Sequence, residues 1–148
     1  MEAIAQELES IVQTYSVQLL NFTEAELSYK PAPGKWSKKE IIGHLVDSAQ
    51  NNIRRFVVTQ YEANPHVVYA QNEWVDIQNY QQYNSKDLIA LWQLLNKHIA
   101  VVLRNMPAEK LQLQCNTGKA QEELHTSEFL AKDYITHHLH HLKQIIPA

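Results

Sequence analysis

Histidine is the residue type with the clearest chemical potential in this 148-residue chain. Four of its eight histidines stand close together near the carboxyl end, at positions 137, 138, 140 and 141. His137 and His141 are four residues apart, so on a helix they lie on one face about one turn apart. Two imidazoles at this spacing can chelate one metal ion. His138 and His141, three residues apart, form an alternative pair, and either pair needs a further ligand from another helix.

A helical wheel of the segment from Leu130 to Ile146 separates these four histidines. His138 and His141 fall within the apolar arc and His137 lies on its edge, whereas His140 faces the polar side. A buried imidazole is costly unless its nitrogens find partners. One metal ion satisfies a nitrogen on each of several rings, which favours a metal site over a solvated helix end.

A second candidate ligand stands in an earlier helical segment. His44 lies at the edge of its apolar arc, and Ser48, Asn52 and Arg55 form a narrow polar stripe beside it. This stripe predicts the wall of a small polar pocket, in which Arg55 either receives a substrate anion or is an exposed residue with an apolar stem. Asp47 either orients the His44 imidazole or has a local role on the surface. His44 alone is also compatible with a hydrogen-bonded structural residue.

The elements that position these residues are long helices. Only three glycines and five prolines interrupt the chain, and the segments between them repeat apolar residues every three or four positions. This pattern predicts an all-α protein, an antiparallel four-helix bundle forming a single domain over residues 1–148. Ser37 and Glu40 form a capping box at the start of the second long helix. We expect a short helix around Trp74 within 65–84, and a hairpin or irregular structure within 107–125.

Composition excludes several classes of protein. The formal net charge of -3 provides no basic surface for nucleic acid. No apolar run approaches the roughly 18 residues needed to span a membrane. The first ten residues lack the basic region of a signal peptide, and a single cysteine, Cys115, cannot form an intramolecular disulfide. We therefore expect a cytoplasmic protein that binds neither nucleic acid nor membrane.

Two segments resemble motifs of the DinB-like superfamily. The segment from Trp36 to Asp47 is similar to the family pattern W-S-x-x-E-x-x-x-H-L-x-D, and the segment from Asp133 to Ile145 is similar to its H-x-x-H-H element. The resemblance implies an up-down-down-up four-helix bundle with a divalent metal held by three histidines. Carried over by position, the ligands are His44, His137 and His141, and His138 occupies a variable position.

The resemblance also implies a range of functions. Members of the superfamily include metal-dependent hydrolases and thiol S-transferases, usually with zinc or nickel, and homodimers are common. We therefore expect a small-molecule substrate, such as a low-molecular-weight thiol, and no residue is identified as the general base. Trp74 and Tyr134 are candidates to close the pocket, although a core role suits each of them. The alternatives are a non-catalytic module with a structural ion and a metal-free interaction domain.

Overall fold

Four long helices carry most of the chain in the computed structural model, which describes residues 1–147. Two shorter helices and a two-stranded hairpin lie in the connections. In chain order the elements are α1 (Glu2–Leu20), α2 (Glu24–Ser28), α3 (Lys38–Val58), α4 (Gln71–Gln78), α5 (Ser85–Asn105), β1 (Gln114–Asn116), β2 (Leu124–Thr126) and α6 (Ser127–Ile145).

Side-chain caps fix the starts of the two helices that carry the candidate ligands. At the start of α3 the Ser37 hydroxyl accepts a hydrogen bond from the Glu40 amide (3.1 Å) and Glu40 Oε1 accepts one from the Ser37 amide (3.0 Å). The predicted capping box is therefore confirmed. At the start of α6 the Thr126 hydroxyl accepts from the Phe129 amide (3.1 Å). These caps satisfy amides that have no partner within the helix.

The four long helices pack around one apolar core, and the predicted four-helix bundle is confirmed. Helix α5 packs against both α1 and α3, and α6 packs against α3 and α1 on the other side. The largest fully buried side chains include Leu8, Leu45, Phe56, Trp92 and Leu142. Because α3 and α6 are neighbours, residues of the second long helix can meet those near the carboxyl end.

The connections also form regular structure. The predicted short helix around Trp74 is α4, and the segment 107–125 contributes a hairpin in which Gln114 is opposite Thr126 and Asn116 is opposite Leu124. Asn116 also exchanges backbone hydrogen bonds with Pro65 and Val67. The two connections are thereby joined over one end of the α3–α6 interface. Within residues 1–147, none of the helices has the length and apolar character of a membrane span.

Candidate metal centre

The structure brings together His44 of α3 and His137 and His141 of α6. One nitrogen of each ring lies within 4.8 Å of one nitrogen of each of the others. The Nε2 atoms of His137 and His141 are 3.1 Å apart. Two nitrogens bound to a tetrahedral zinc ion at about 2.0–2.1 Å lie about 3.3 Å from each other. The spacing therefore fits ligands that share one ion.

The three imidazoles are in the protonation state that a metal ligand needs. Burial, followed by the neighbouring His141 and His137, lowers the pKa of His44 to about 3. Burial, followed by His141, lowers the pKa of His137 to about 4, and burial also lowers the pKa of His141. All three rings are therefore neutral at pH 7, and each has a nitrogen lone pair to donate.

His44 has bonding capacity that the protein does not use. Its side chain is buried, with 1 % of its surface exposed. Its Nδ1 atom is also buried and has no hydrogen-bond partner among residues 1–147. A buried polar atom without a partner costs about 1–3 kcal/mol. The donor set of three neutral imidazoles, each with one nitrogen close to the others, fits a divalent metal ion, which would be held by His44, His137 and His141.

The other two histidines of the carboxyl-terminal cluster have different surroundings. His138 is completely buried, and its Nε2 accepts a hydrogen bond of 2.9 Å from the Trp92 indole N–H on α5. His140 is exposed, and its Nε2 atom lies 3.3 Å from Nε2 of the Gln144 side chain. Neither residue belongs to the three-histidine group, so the structure favours the pair His137 and His141 over the pair His138 and His141.

Two residues that the sequence analysis did not assign to the site contact the candidate ligands. The Trp36 ring lies 5.1 Å from the His44 ring. Gln144 Oε1 lies 3.0 Å from Nδ1 of His141. An amide oxygen can only accept, so this contact places the proton of His141 on Nδ1 and leaves the Nε2 lone pair for a metal. In the sequence, Trp36 is the first residue of the family pattern and has no assigned role at the site.

Asp47 is completely buried, which excludes the surface position that the helical wheel allowed. Its Oδ1 accepts hydrogen bonds from the Tyr80 hydroxyl (2.6 Å) and the Gln78 amide (2.8 Å). Its Oδ2 is buried and has no partner among the described residues. Burial raises the pKa of Asp47, and the bonds from Tyr80 and Gln78 oppose that rise.

Several predicted pocket residues line a cavity of about 190 Å³ between α3 and α6. The wall includes Ser48 and Asn52 of α3 and Tyr134 and His137 of α6. Tyr134 has a core role as well, because its hydroxyl donates to Asn96 Oδ1 at 2.6 Å. The position of His137 in this wall gives the candidate metal centre a neighbouring space for a ligand.

Trp74 lies outside that wall. It is half-buried on α4, and its ring lies edge-on to the Tyr69 ring at 5.4 Å. Tyr69 itself lines the cavity. A second cavity of about 650 Å³ lies beside Trp36 and Gln144, the residues that contact His44 and His141. None of the three histidines lines this second cavity, which lies next to them only through Trp36 and Gln144.

Comparison with known proteins identifies relatives over nearly the whole chain. A protein of Bacillus pumilus (strain SAFR-032) with the name "Putative metal-dependent hydrolase" is 26 % identical over 149 residues, which cover 99 % of this chain and 85 % of the relative. The structure of YfiT from Bacillus subtilis, described as a probable metal-dependent hydrolase with an unusual four-helix bundle topology, superposes with a TM-score of 0.85. It is 23 % identical and covers 97 % of this chain and 82 % of its own.

A solved structure of a mycothiol-dependent maleylpyruvate isomerase shares the fold as well. It has a TM-score of 0.72 and 17 % identity, and the match covers 95 % of this chain and 60 % of that one. The family model of the DinB superfamily matches residues 7–145. The match includes both histidine motifs, α1 from residue 7 onward and the whole of the other three long helices, and the chain belongs to the DinB superfamily.

Proposed function

We propose that the protein is a metal-dependent enzyme in which His44, His137 and His141 hold one divalent ion, zinc or nickel. The main support is the cavity of about 190 Å³ that has His137 in its wall. His141 is only partly buried, so the centre is not sealed inside the core. A purely structural ion needs no such access.

The chemistry of such a site is the activation of a nucleophile. A divalent ion held by three neutral imidazoles would keep open coordination positions, and it would lower the pKa of a water or a thiol bound there toward neutral pH. The chain contributes the orientation of the ligands and the shape of the neighbouring space. Burial keeps the imidazoles neutral, and Gln144 fixes the proton of His141 on Nδ1.

Two reactions fit this arrangement. The name of the Bacillus pumilus relative supports a hydrolase. A thiol S-transferase is supported by the mycothiol dependence of the isomerase that shares the fold. It is also supported by two cavities that suit a thiol and an electrophile, one with His137 in its wall and one beside Trp36 and Gln144. In both cases the substrate is a small molecule. A structural ion in a non-catalytic module is the alternative.

Activity measurements separate these possibilities. We expect the protein loaded with Zn²⁺ or Ni²⁺ to accelerate either the hydrolysis of a panel of esters and amides or the transfer of a low-molecular-weight thiol to an electrophile. A chelator should abolish the activity and re-addition of the metal should restore it. If one equivalent of metal binds and raises the melting temperature but neither reaction exceeds the rate with free metal, the ion is structural and the enzyme proposal is wrong.

We also propose that Asp47 positions His44. Both Nδ1 of His44 and Oδ2 of Asp47 are buried and unpaired, and the two residues are one turn apart on α3. A hydrogen bond from Nδ1–H to Oδ2 would satisfy both atoms and would leave Nε2 as the metal-binding nitrogen. Carboxylates that accept from a ligating histidine commonly have this effect.

The variant Asp47→Asn tests this role. We expect its affinity for Zn²⁺, measured by competition with a chromophoric chelator, to fall by about 10–100-fold. Tyr80→Phe removes a hydrogen bond to the other oxygen, Oδ1, and should change the affinity much less. Asp87→Asn on exposed α5 surface is the control. Equal losses in Asp47→Asn and Tyr80→Phe would mean that Asp47 only anchors the connection that carries Tyr80.

A further inference from the structure

The cavity beside the three histidines has an unusual polar residue in its wall. Arg55 of α3 lines it together with Ser48, Tyr69, Lys119 and His137. The guanidinium is partly buried, and its Nε and Nη2 both donate to the Val67 carbonyl, at 3.2 and 3.0 Å. An arginine has five N–H groups. Three of them therefore remain available for a further acceptor.

No carboxylate of residues 1–147 lies within ion-pair distance of Arg55. Buried arginines usually have such a partner, because an uncompensated charge away from water is costly. The Val67 carbonyl is a neutral acceptor and does not balance the charge. Among the described residues, Arg55 therefore has no carboxylate in direct contact, and it lies in the wall of a cavity that could admit one.

The other charges of the cavity leave an excess of positive charge. Lys119 is a second cation, Asp133 is the one carboxylate in the wall, and both are exposed. The hydroxyls of Ser48 and Tyr69 add neutral donors. This local excess is notable in a chain with a net charge of -3, and it favours an anionic ligand.

We infer that this cavity binds the carboxylate of a small organic acid, with Arg55 as its principal donor. The planar guanidinium fork matches a carboxylate, which it holds by two parallel hydrogen bonds. The volume of about 190 Å³ is below the roughly 300–1,000 Å³ of sites for drug-sized ligands. The substrate class is therefore a short carboxylic acid whose reacting group lies a few bonds from its carboxylate, beside His137.

This inference rests on the proposed function of the same site, but it can be tested without metal. The probe is butyrate, with butyramide as its neutral counterpart, titrated into the metal-free protein and followed by amide chemical shifts in NMR spectra. We expect butyrate to bind with a dissociation constant in the millimolar range, on the order expected for a ligand of about six non-hydrogen atoms. The largest shifts should belong to residues around Arg55, and butyramide should bind much more weakly.

Substitutions then identify the donor. Arg55→Gln should weaken butyrate binding about tenfold or more, because it removes charge-assisted hydrogen bonds. Arg54→Gln, at the exposed neighbouring position, should leave the binding unchanged. Lys119 does not bond the Val67 carbonyl as Arg55 does. Lys119→Gln should weaken butyrate binding less than Arg55→Gln does. This variant keeps the test valid if Arg55→Gln disturbs the loop around Val67.

Four results would overturn the inference. The first two are the absence of butyrate binding to the wild-type protein and equal binding of butyrate and butyramide. The others are equal binding of butyrate to the wild type, Arg55→Gln and Lys119→Gln, and preferential binding of inorganic phosphate. Failure of metal binding or of catalysis would contradict the proposed function instead, and it would leave these titrations of metal-free protein unaffected.

Discussion

Replacing His44 with alanine is expected to weaken the binding of Zn²⁺ or Ni²⁺ by more than about 100-fold. Loss of a residue that merely orients a ligand costs about 10–100-fold, and loss of a ligand should cost more. His44 is the one member of the group that α3 supplies, so only two histidines of α6 would remain. Isothermal titration of protein purified without an affinity tag measures this change directly.

Matched variants show whether the loss is specific. His141→Ala should weaken metal binding similarly, whereas His98→Ala, at an exposed position of α5, should leave it unchanged. Circular dichroism of the metal-free variants checks that the helices persist. If His44→Ala and His141→Ala retain the metal affinity of the wild type while their helices are intact, the assignment of the ligands is wrong.

Replacing Gly43 with alanine is expected to lower the free energy of unfolding by about 2–3 kcal/mol, a typical cost for an overpacked core. An alanine Cβ at this position would lie 2.1 Å from Cδ2 of the Tyr80 ring. Tyr80 is 2 % exposed, and its hydroxyl donates to Asp47, so the ring has little freedom to move away. The Tyr80 ring lies against the backbone of α3 at position 43. Glycine is therefore required at this position, directly before His44.

Helix propensity predicts the opposite sign for the same substitution. In an exposed helix, alanine is more favourable than glycine by about 1 kcal/mol. Chemical denaturation of the variant therefore separates the two effects. In a Tyr80→Leu background, Gly43→Ala should be much less destabilising, because the aromatic ring that it contacts is absent. A Gly43→Ala variant that is as stable as the wild type would show that Tyr80 does not pack against the helix as described.

The bundle and the grouping of the histidines follow from local patterns. The scarcity of glycine and proline, the apolar spacing and the capping box of Ser37 and Glu40 predict the long helices. The wheel places His138 in the core, where it is buried. Its hydrogen bond from Trp92 could not be foreseen, because it joins residues 46 positions apart whose contact depends on how α5 and α6 pack.

The surroundings of Asp47 and Arg55 could not be predicted for a related reason. The wheel places Asp47 on the polar side of α3, but the connection that follows this helix returns over it and buries the carboxylate beneath Tyr80 and Gln78. The roles of Arg55 remain open in the sequence because its contact, Val67, lies in irregular structure. When a connection covers a side chain, the environment of that side chain depends on tertiary contacts. Such contacts leave no periodic pattern in the sequence.

We propose that one divalent ion is held by His44, His137 and His141. Anomalous diffraction from crystals grown with Zn²⁺ or Ni²⁺, recorded on both sides of the absorption edge of the metal, tests it most directly. We expect one strong peak at about 2.0–2.1 Å from a nitrogen of each of the three rings. The absence of a peak among these rings, or a peak bound by His138 or His140 instead, would contradict it.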